Sequence, residues 1–230
     1  MRRFVTAAAA AALAACVTTI ASADAVNVLE RVRGDVGYAL RGQRAGYHGL
    51  AGSIALPDDA HAMTGFRAAA RLTLPDSSVV DIGDNTDATI GASREAAANP
   101  NAIALKRGAL RFTIRHPAGA RSNYVFTTPT AQVAVRGTLA YLVSGPSGDQ
   151  LYCVDCAAGD VTVSGANETY RVESGQTLNV RRIGGRAFDA AIVSNASVNN
   201  PAIDQFLRGF SPFGRPAAEG SDPTGSNSGG

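Results

Sequence analysis

The 230 residues contain no tryptophan, and aromatic residues make up only 6% of the chain. A core built from this sequence must rest on small and branched aliphatic side chains rather than on large rings. Charge is scarce as well, at 17% against about 25% in an average soluble protein. Lysine is nearly missing: of 21 basic residues, only Lys106 is not an arginine. The formal net charge is +2, and Arg2 and Arg3 account for all of it, leaving 19 basic against 19 acidic residues elsewhere. Near-neutrality argues against general nucleic-acid binding, which runs on a net basic face, so no nucleic-acid partner is expected. The three histidines, His48, His61 and His116, lie far apart and form no His-x-His or His-Glu-x-x-His pattern. No Gly-x-Ser-x-Gly elbow, phosphate-binding loop or dinucleotide fingerprint occurs. No catalytic residue, metal or cofactor is therefore expected, and no apolar run reaches the roughly 20 residues of a membrane span.

The first residues read as a targeting segment. Arg2 and Arg3 form a charged start, Phe4 to Val17 is alanine-rich and apolar, and Ala21-Ser22-Ala23 offers a small-residue cleavage site. Residues 1–23 are then a signal peptide, and Asp24 is the mature N-terminus. A second reading stays open: Leu13-Ala14-Ala15-Cys16 resembles a lipobox, which would place lipidation at Cys16 and tie the chain to a membrane. Cleavage after Ala23 leaves two cysteines, an even number suited to an oxidising compartment. Either way the expected location is extracytoplasmic: periplasmic, secreted or lipid-anchored.

The body reads as strands and turns. Short alternating runs end in Gly, Asp, Asn or Pro, as in Arg71–Leu74, Val79–Ile82, Ala109–Ile114, Tyr124–Thr127 and Leu139–Val143. One run, Ile103–Leu105, breaks at Lys106-Arg107-Gly108. The expected class is all-β, with sandwich, barrel and solenoid not separable by periodicity. In residues 201–210, Ile203, Phe206, Leu207 and Phe210 stand at i, i+3, i+4 and i+7, with Pro201 at the first position of a short amphipathic helix. Residues 211–230 are mostly Gly, Ser, Pro and Ala and read as a disordered tail. The domain division is a β domain over 24–182, a linker with the short helix over 183–210, and the tail.

Phe126-Thr-Thr-Pro-Thr-Ala-Gln-Val-Ala-Val-Arg-Gly-Thr138 resembles the signature of the FecR-type domain: a strand ending in Thr-Pro, an alternating valine pair and a Gly-Thr. Other landmarks follow the family order. They are Gly34-Asp-Val36, Met63-Thr-Gly65, the hairpin Leu72–Val79, Leu105–Arg111, Ala158–Val163 and Glu173-Ser-Gly-Gln176. The resemblance covers about residues 30 to 182. It implies an irregular β-solenoid, with a β-sandwich as the alternative, and an extracytoplasmic, non-catalytic role. The family's best-known members are periplasmic parts of transmembrane anti-sigma regulators that relay a siderophore receptor's state. Here a signal peptide leads almost straight into the domain, so direct transmembrane regulation is not expected. The residues Thr128, Pro129, Val133, Val135, Gly137 and Thr138 have structural reasons to be there. Proline suits a strand start, the valines share a buried face, glycine admits close backbone approach and threonine favours strands.

Cys153-Val-Asp-Cys156 is the sharpest local feature. Three residues apart on a straight strand, the Cα atoms would stand about 10 Å apart and the side chains would face opposite ways. That is beyond disulfide reach. A bridge needs Val154-Asp155 to turn or bulge; two separate thiols and a redox pair are the other readings. Asp81, Asp84, Asn85 and Asp87 form an acidic turn without the spacing of a calcium loop. The expected function is binding or sensing of an envelope protein or glycan. The alternatives are a surface-display spacer and a thiol-disulfide oxidoreductase.

Overall fold

The structure is a computed structural model that describes residues 26–41, 47–91, 101–115, 123–164, 168–183, 186–201 and 203. The chain is all-β and open, without a closed barrel. Its strands are β1 (Asn27–Arg33), β2 (Val36–Ala39), β3 (His48–Gly49), β4 (Ser53–Leu56), β5 (Ala60–Thr64) and β6 (Ala69–Thr73). Next come β7 (Val79–Ile82), β8 (Asp87–Ile90), β9 (Ala102–Ile114), β10 (Tyr124–Thr127), β11 (Gln132–Val135) and β12 (Thr138–Gly145). The series ends with β13 (Gly148–Cys156), β14 (Val161–Ser164), β15 (Thr169–Arg171), β16 (Gln176–Ile183) and β17 (Arg186–Ser194).

These strands pair into two layers that share β9. The first sheet runs β4-β1-β6-β7-β9-β12-β13-β16-β17. The second runs β3-β2-β5-β8-β9-β10-β11-β14-β15. The chain switches between layers while advancing along both, an irregular winding with two facing sheets. All these pairings are antiparallel except β9 with β10.

One core lies between the layers. Phe112 of the first sheet stacks on Phe126 of the second, with ring centroids 4.2 Å apart. Around that contact the core is aliphatic, with Leu29, Leu72, Ile82, Ile90, Leu105, Leu110 and Leu142 fully buried. Side chains alternate between the two faces of each strand: Val80 and Ile82 point to the core, and Asp81 points to the outer face of the sheet, where it too is buried.

Strand β9 carries the change of layer. Its residues 103 to 107 pair with β8, and residues 108 to 114 pair with β12. Arg107 stands opposite Asp87 and Leu105 opposite Ala88, which leaves Lys106 unopposed as a bulge. The extra residue shifts the inward parity from Ile103 and Leu105 to Leu110, Phe112 and Ile114. Lys106-Arg107-Gly108, expected as a break, is therefore a kink inside one continuous strand.

Gly108 sits at φ +99°, and a Cβ there would lie 2.2 Å from Thr86 Oγ1. That crowding has a purpose. The fully buried Thr86 hydroxyl accepts the Ala109 N–H at 3.0 Å and donates to the Asp84 carbonyl at 3.1 Å. Thr64 accepts the Thr86 N–H at 3.0 Å and donates to the Gly83 carbonyl. Two threonines thus satisfy backbone groups that the strand's crossing would leave unpaired.

The outer face of the first sheet is covered in part by the chain beyond β17. Ile203 is buried with Ala69, Ala109 and Tyr141, and Val198 packs beside them. The expected helix over 201–210 otherwise lies outside the described residues, as do the signal peptide, Cys16, His116 and the tail. The stretch read as a linker from residue 183 contains β17, so the first sheet continues to Ser194. No helix among the described residues is long and apolar enough to cross a membrane.

Two outcomes follow. Gly108→Ala should cost about 2 kcal/mol or more, because a left-handed φ and a clash with buried Thr86 add. Gly159 is the control: its φ is +82° but an added Cβ meets nothing within 4 Å. Gly159→Ala should cost only the conformational part, about 1 kcal/mol. Paired thermal melts check both.

The second outcome concerns alkali. Burial, then a hydrogen bond to the Asp76 carboxylate, raises the Tyr124 phenol well above its usual value. Burial also raises Tyr141, against the lowering influence of Arg111. A pKa raised by folding gives stability that is complete below the unfolded tyrosine value, about 10, and is lost as pH rises beyond it. Melting temperature should be insensitive to these groups up to about pH 9 and fall above pH 10. A fall no shallower in Tyr124→Phe would show that this phenol is not responsible.

Candidate functional site

Much of the polar chemistry inside the fold is committed to holding it together. Thr128 closes the turn between β10 and β11: its hydroxyl accepts the Ala131 N–H at 2.9 Å, and its N–H donates to the Ala131 carbonyl at 2.8 Å. Pro129 stands in that turn rather than in a strand, where its missing N–H costs nothing. The same Thr128 hydroxyl lies 2.5 Å from the Asp149 carboxylate, which also receives Thr130 and the Arg182 guanidinium, the latter at 3.3 Å. Asp149 is at the start of β13 and its side chain is 2% exposed. One buried carboxylate therefore ties a turn of the second sheet to two strands of the first. Val133 and Val135 point into the core. Gly137 takes φ +131°, and Thr138 opens β12 with its hydroxyl on Cys156 Sγ and the Asp155 carbonyl.

Cys153 and Cys156 are joined as a disulfide with Cα atoms 6.0 Å apart. The register explains the reach. Leu139 faces Asp155 but Ala140 faces Cys153, so Val154 is unopposed and the strand bulges between the cysteines. Both cysteines are buried, at 0% and 2% exposure, beyond the attack of an external thiolate. The backbone around them holds the end of the first sheet: Asn195 donates to the Cys153 carbonyl at 2.6 Å, and the Cys156 N–H donates to Ser174 Oγ at 2.8 Å. This is the geometry of a staple.

The acidic turn is dispersed. Asp81 is clamped on the outer face of the first sheet by Arg71 at 2.8 Å and Arg111 at 3.4 Å. Asp87 pairs with Lys106 at 3.3 Å. Asn85 adopts a left-handed φ of +51° and donates to Asp84. His61 meets Thr89 at 3.0 Å, and His48 lies beside the Tyr38 ring. No cluster of three metal-ligating side chains occurs among the described residues.

A groove of about 740 Å³ lies open on the outer face of the second sheet. The register builds its floor. Gly49 faces Gly37, Gly37 faces Met63, Met63 faces Asp87, and Asp87 faces Arg107, one row across β3, β2, β5, β8 and β9. Two opposed glycines make the trough, and the Tyr47 side chain folds over Gly37. Asp35 and Asn85 border it. The Arg107 guanidinium and the Asp35 carboxylate make no ion pair or side-chain hydrogen bond among the described residues. Burial, then nearby Asp87, raises the Tyr47 phenol above its usual value. Only Gly34-Asp-Val36 and Met63-Thr-Gly65 hinted at this region in the sequence, as landmarks of a fold. The groove draws on five separate segments, so no local motif marks it.

The cysteine staple can be tested directly. Its closed loop is very short, so the chain-entropy contribution should be about 2 kcal/mol or less. Cys153→Ser with Cys156→Ser should fold, melt several degrees lower, and keep the ligand binding of the domain. Binding lost at unchanged melting temperature would assign the pair to function instead.

Comparison with known proteins agrees with the sequence resemblance. The family model described as FecR protein matches residues 60–162. Two crystal structures of a candidate anti-sigma factor from Parabacteroides distasonis share the fold, each with a TM-score of 0.50 at 14% identity. They cover 65% of this chain and 64% and 65% of their own, so the match spans just under two thirds of those proteins. No curated protein sequence matches the chain.

Proposed function

We propose that this FecR-like chain is a non-catalytic binding module of the bacterial envelope, and that the groove over Gly37 and Gly49 is where it binds. The observation that carries the reading is the contrast between spent and unspent polar groups. Asp81, Asp149, Arg71 and Arg182 are consumed by internal ion pairs. Among the described residues Arg107 and Asp35 are in no ion pair, and both border that groove. Ligand sites are concave, with a few unsatisfied polar groups that fix orientation. An exported location is supported by the targeting pattern of residues 1–23 and by a disulfide, which persists in oxidising compartments.

Envelope fractions of a cell producing the full chain test this. A photo-crosslinking residue at Tyr47 should capture a defined envelope component, whereas the same residue at the exposed Val154 should not. The mature protein should begin at Asp24 or at a lipidated Cys16. Intact Met1 on folded cytoplasmic protein, or equal capture from both positions, would defeat the proposal.

A further inference from the structure

The groove has a definite chemistry, and it points to a class of ligand. We infer that it takes an acidic glycan, a saccharide chain whose rings carry carboxylates. This rests on the reading of the groove as the binding site.

The volume comes first. About 740 Å³ is the size of a site for a small ligand, which runs roughly 300–1,000 Å³. A protein partner instead needs a contact of about 800 Å² on each side. The floor is next. Gly49 leaves bare backbone, since a Cβ added there meets nothing within 4 Å, while Tyr47 folds over the opposed Gly37. A slender, flat chain can lie over Gly49, alongside the Tyr47 ring.

The borders then select the rings. Tyr47 is 46% exposed and offers an aromatic surface to the apolar C–H face of a sugar. Arg107, opposite Asp87 in the row but in no ion pair among the described residues, presents a planar fork suited to a carboxylate. Asp35 can only accept hydrogen bonds when ionised, and Asn85 keeps its carbonyl oxygen while its amide donates to Asp84. Acceptors of this kind suit hydroxyl donors. An extended acidic peptide is the competing occupant. Both carry one carboxylate per unit, but a uronic-type sugar surrounds it with hydroxyl donors for Asp35, which Asp and Glu side chains lack.

The experiment uses the full mature chain against a panel of galacturonate, glucuronate, muramyl and sialyl oligosaccharides. Their carboxyl-esterified counterparts and an Asp/Glu-rich hexapeptide serve as comparisons, with binding read by calorimetry. At least one acidic saccharide should bind, and its ester should bind ten-fold or more weakly. Arg107→Gln should reproduce that loss, and Gly49→Gln should abolish binding by filling the trough. Both variants should melt at the wild-type temperature, since Arg107 is in no ion pair among the described residues and Gly49 has open space above it. Esters that bind as well as acids, binding indifferent to Arg107→Gln, preference for the hexapeptide, or no saccharide bound at all would each overturn the inference. If no saccharide binds but Gly49→Gln removes the crosslinked envelope component, the site stands and only its ligand class falls. If the variants change neither, both fall.

Discussion

The fold depends on how one strand can belong to two layers. A sheet can turn onto a second layer only if its backbone bends without losing its hydrogen-bond partners, and at β9 the bulge at Lys106 and the left-handed Gly108 supply the bend. Thr86 and Thr64 then stand in for the ladder partners lost at the crossing. The core follows from this. Because the parity of β9 shifts by one across the bulge, both of its halves face the same interior, and Phe112 can meet Phe126. Without the shift, one half of β9 would turn its leucines and isoleucines to solvent.

Charge in this chain is rare and placed with purpose. Asp81 and Asp149 are both almost wholly buried, one on the outer face of the first sheet and one where a turn of the second sheet meets the first. Removing a single partner from a buried pair leaves an uncompensated charge, which costs far more than the intact pair contributes. Such pairs therefore fix arrangement more than they add stability. Asp149 accepts from Thr128 and Thr130 together, so the Thr-Pro turn has one position relative to β13. The polar character of the familiar motif is structural here, which is why the open groove, rather than the motif, is the place to look for a ligand.

Much of this architecture was legible in the residues. Val133 and Val135 alternate along their strand and are buried, and the bulge that a bridge between the cysteines would need is supplied by the register at Val154. Other features could not be read. Lys-Arg-Gly has the composition of a turn, and only the partners Asp87 and Thr86 make it a kinked strand. β17 looked like a linker because it is an edge strand, held on one side by β16 and half open, with Ile192 40% exposed. The pairing of Thr128 with Asp149 joins positions 21 residues apart, and the groove joins five segments. Contacts of that kind are set by register, which local periodicity does not encode.

The winding also gives the molecule a direction. At one end β3 and β4 each have a single partner, at the other β15 and β17 do, and β9 near the middle is bonded on both sides in both layers. Resistance to local opening should therefore grade from the ends inward, since an edge strand frays by losing one ladder while a central one must lose two. Tension arriving from beyond Ile203 must first free Ile203 and Val198 from the outer face of the first sheet, and only then peels β17 from β16 bond by bond. The staple at Cys153 and Cys156, whose carbonyl holds Asn195, lies directly beside that path. A module wound this way yields to a pull in steps, and its shared central strand is the last to open.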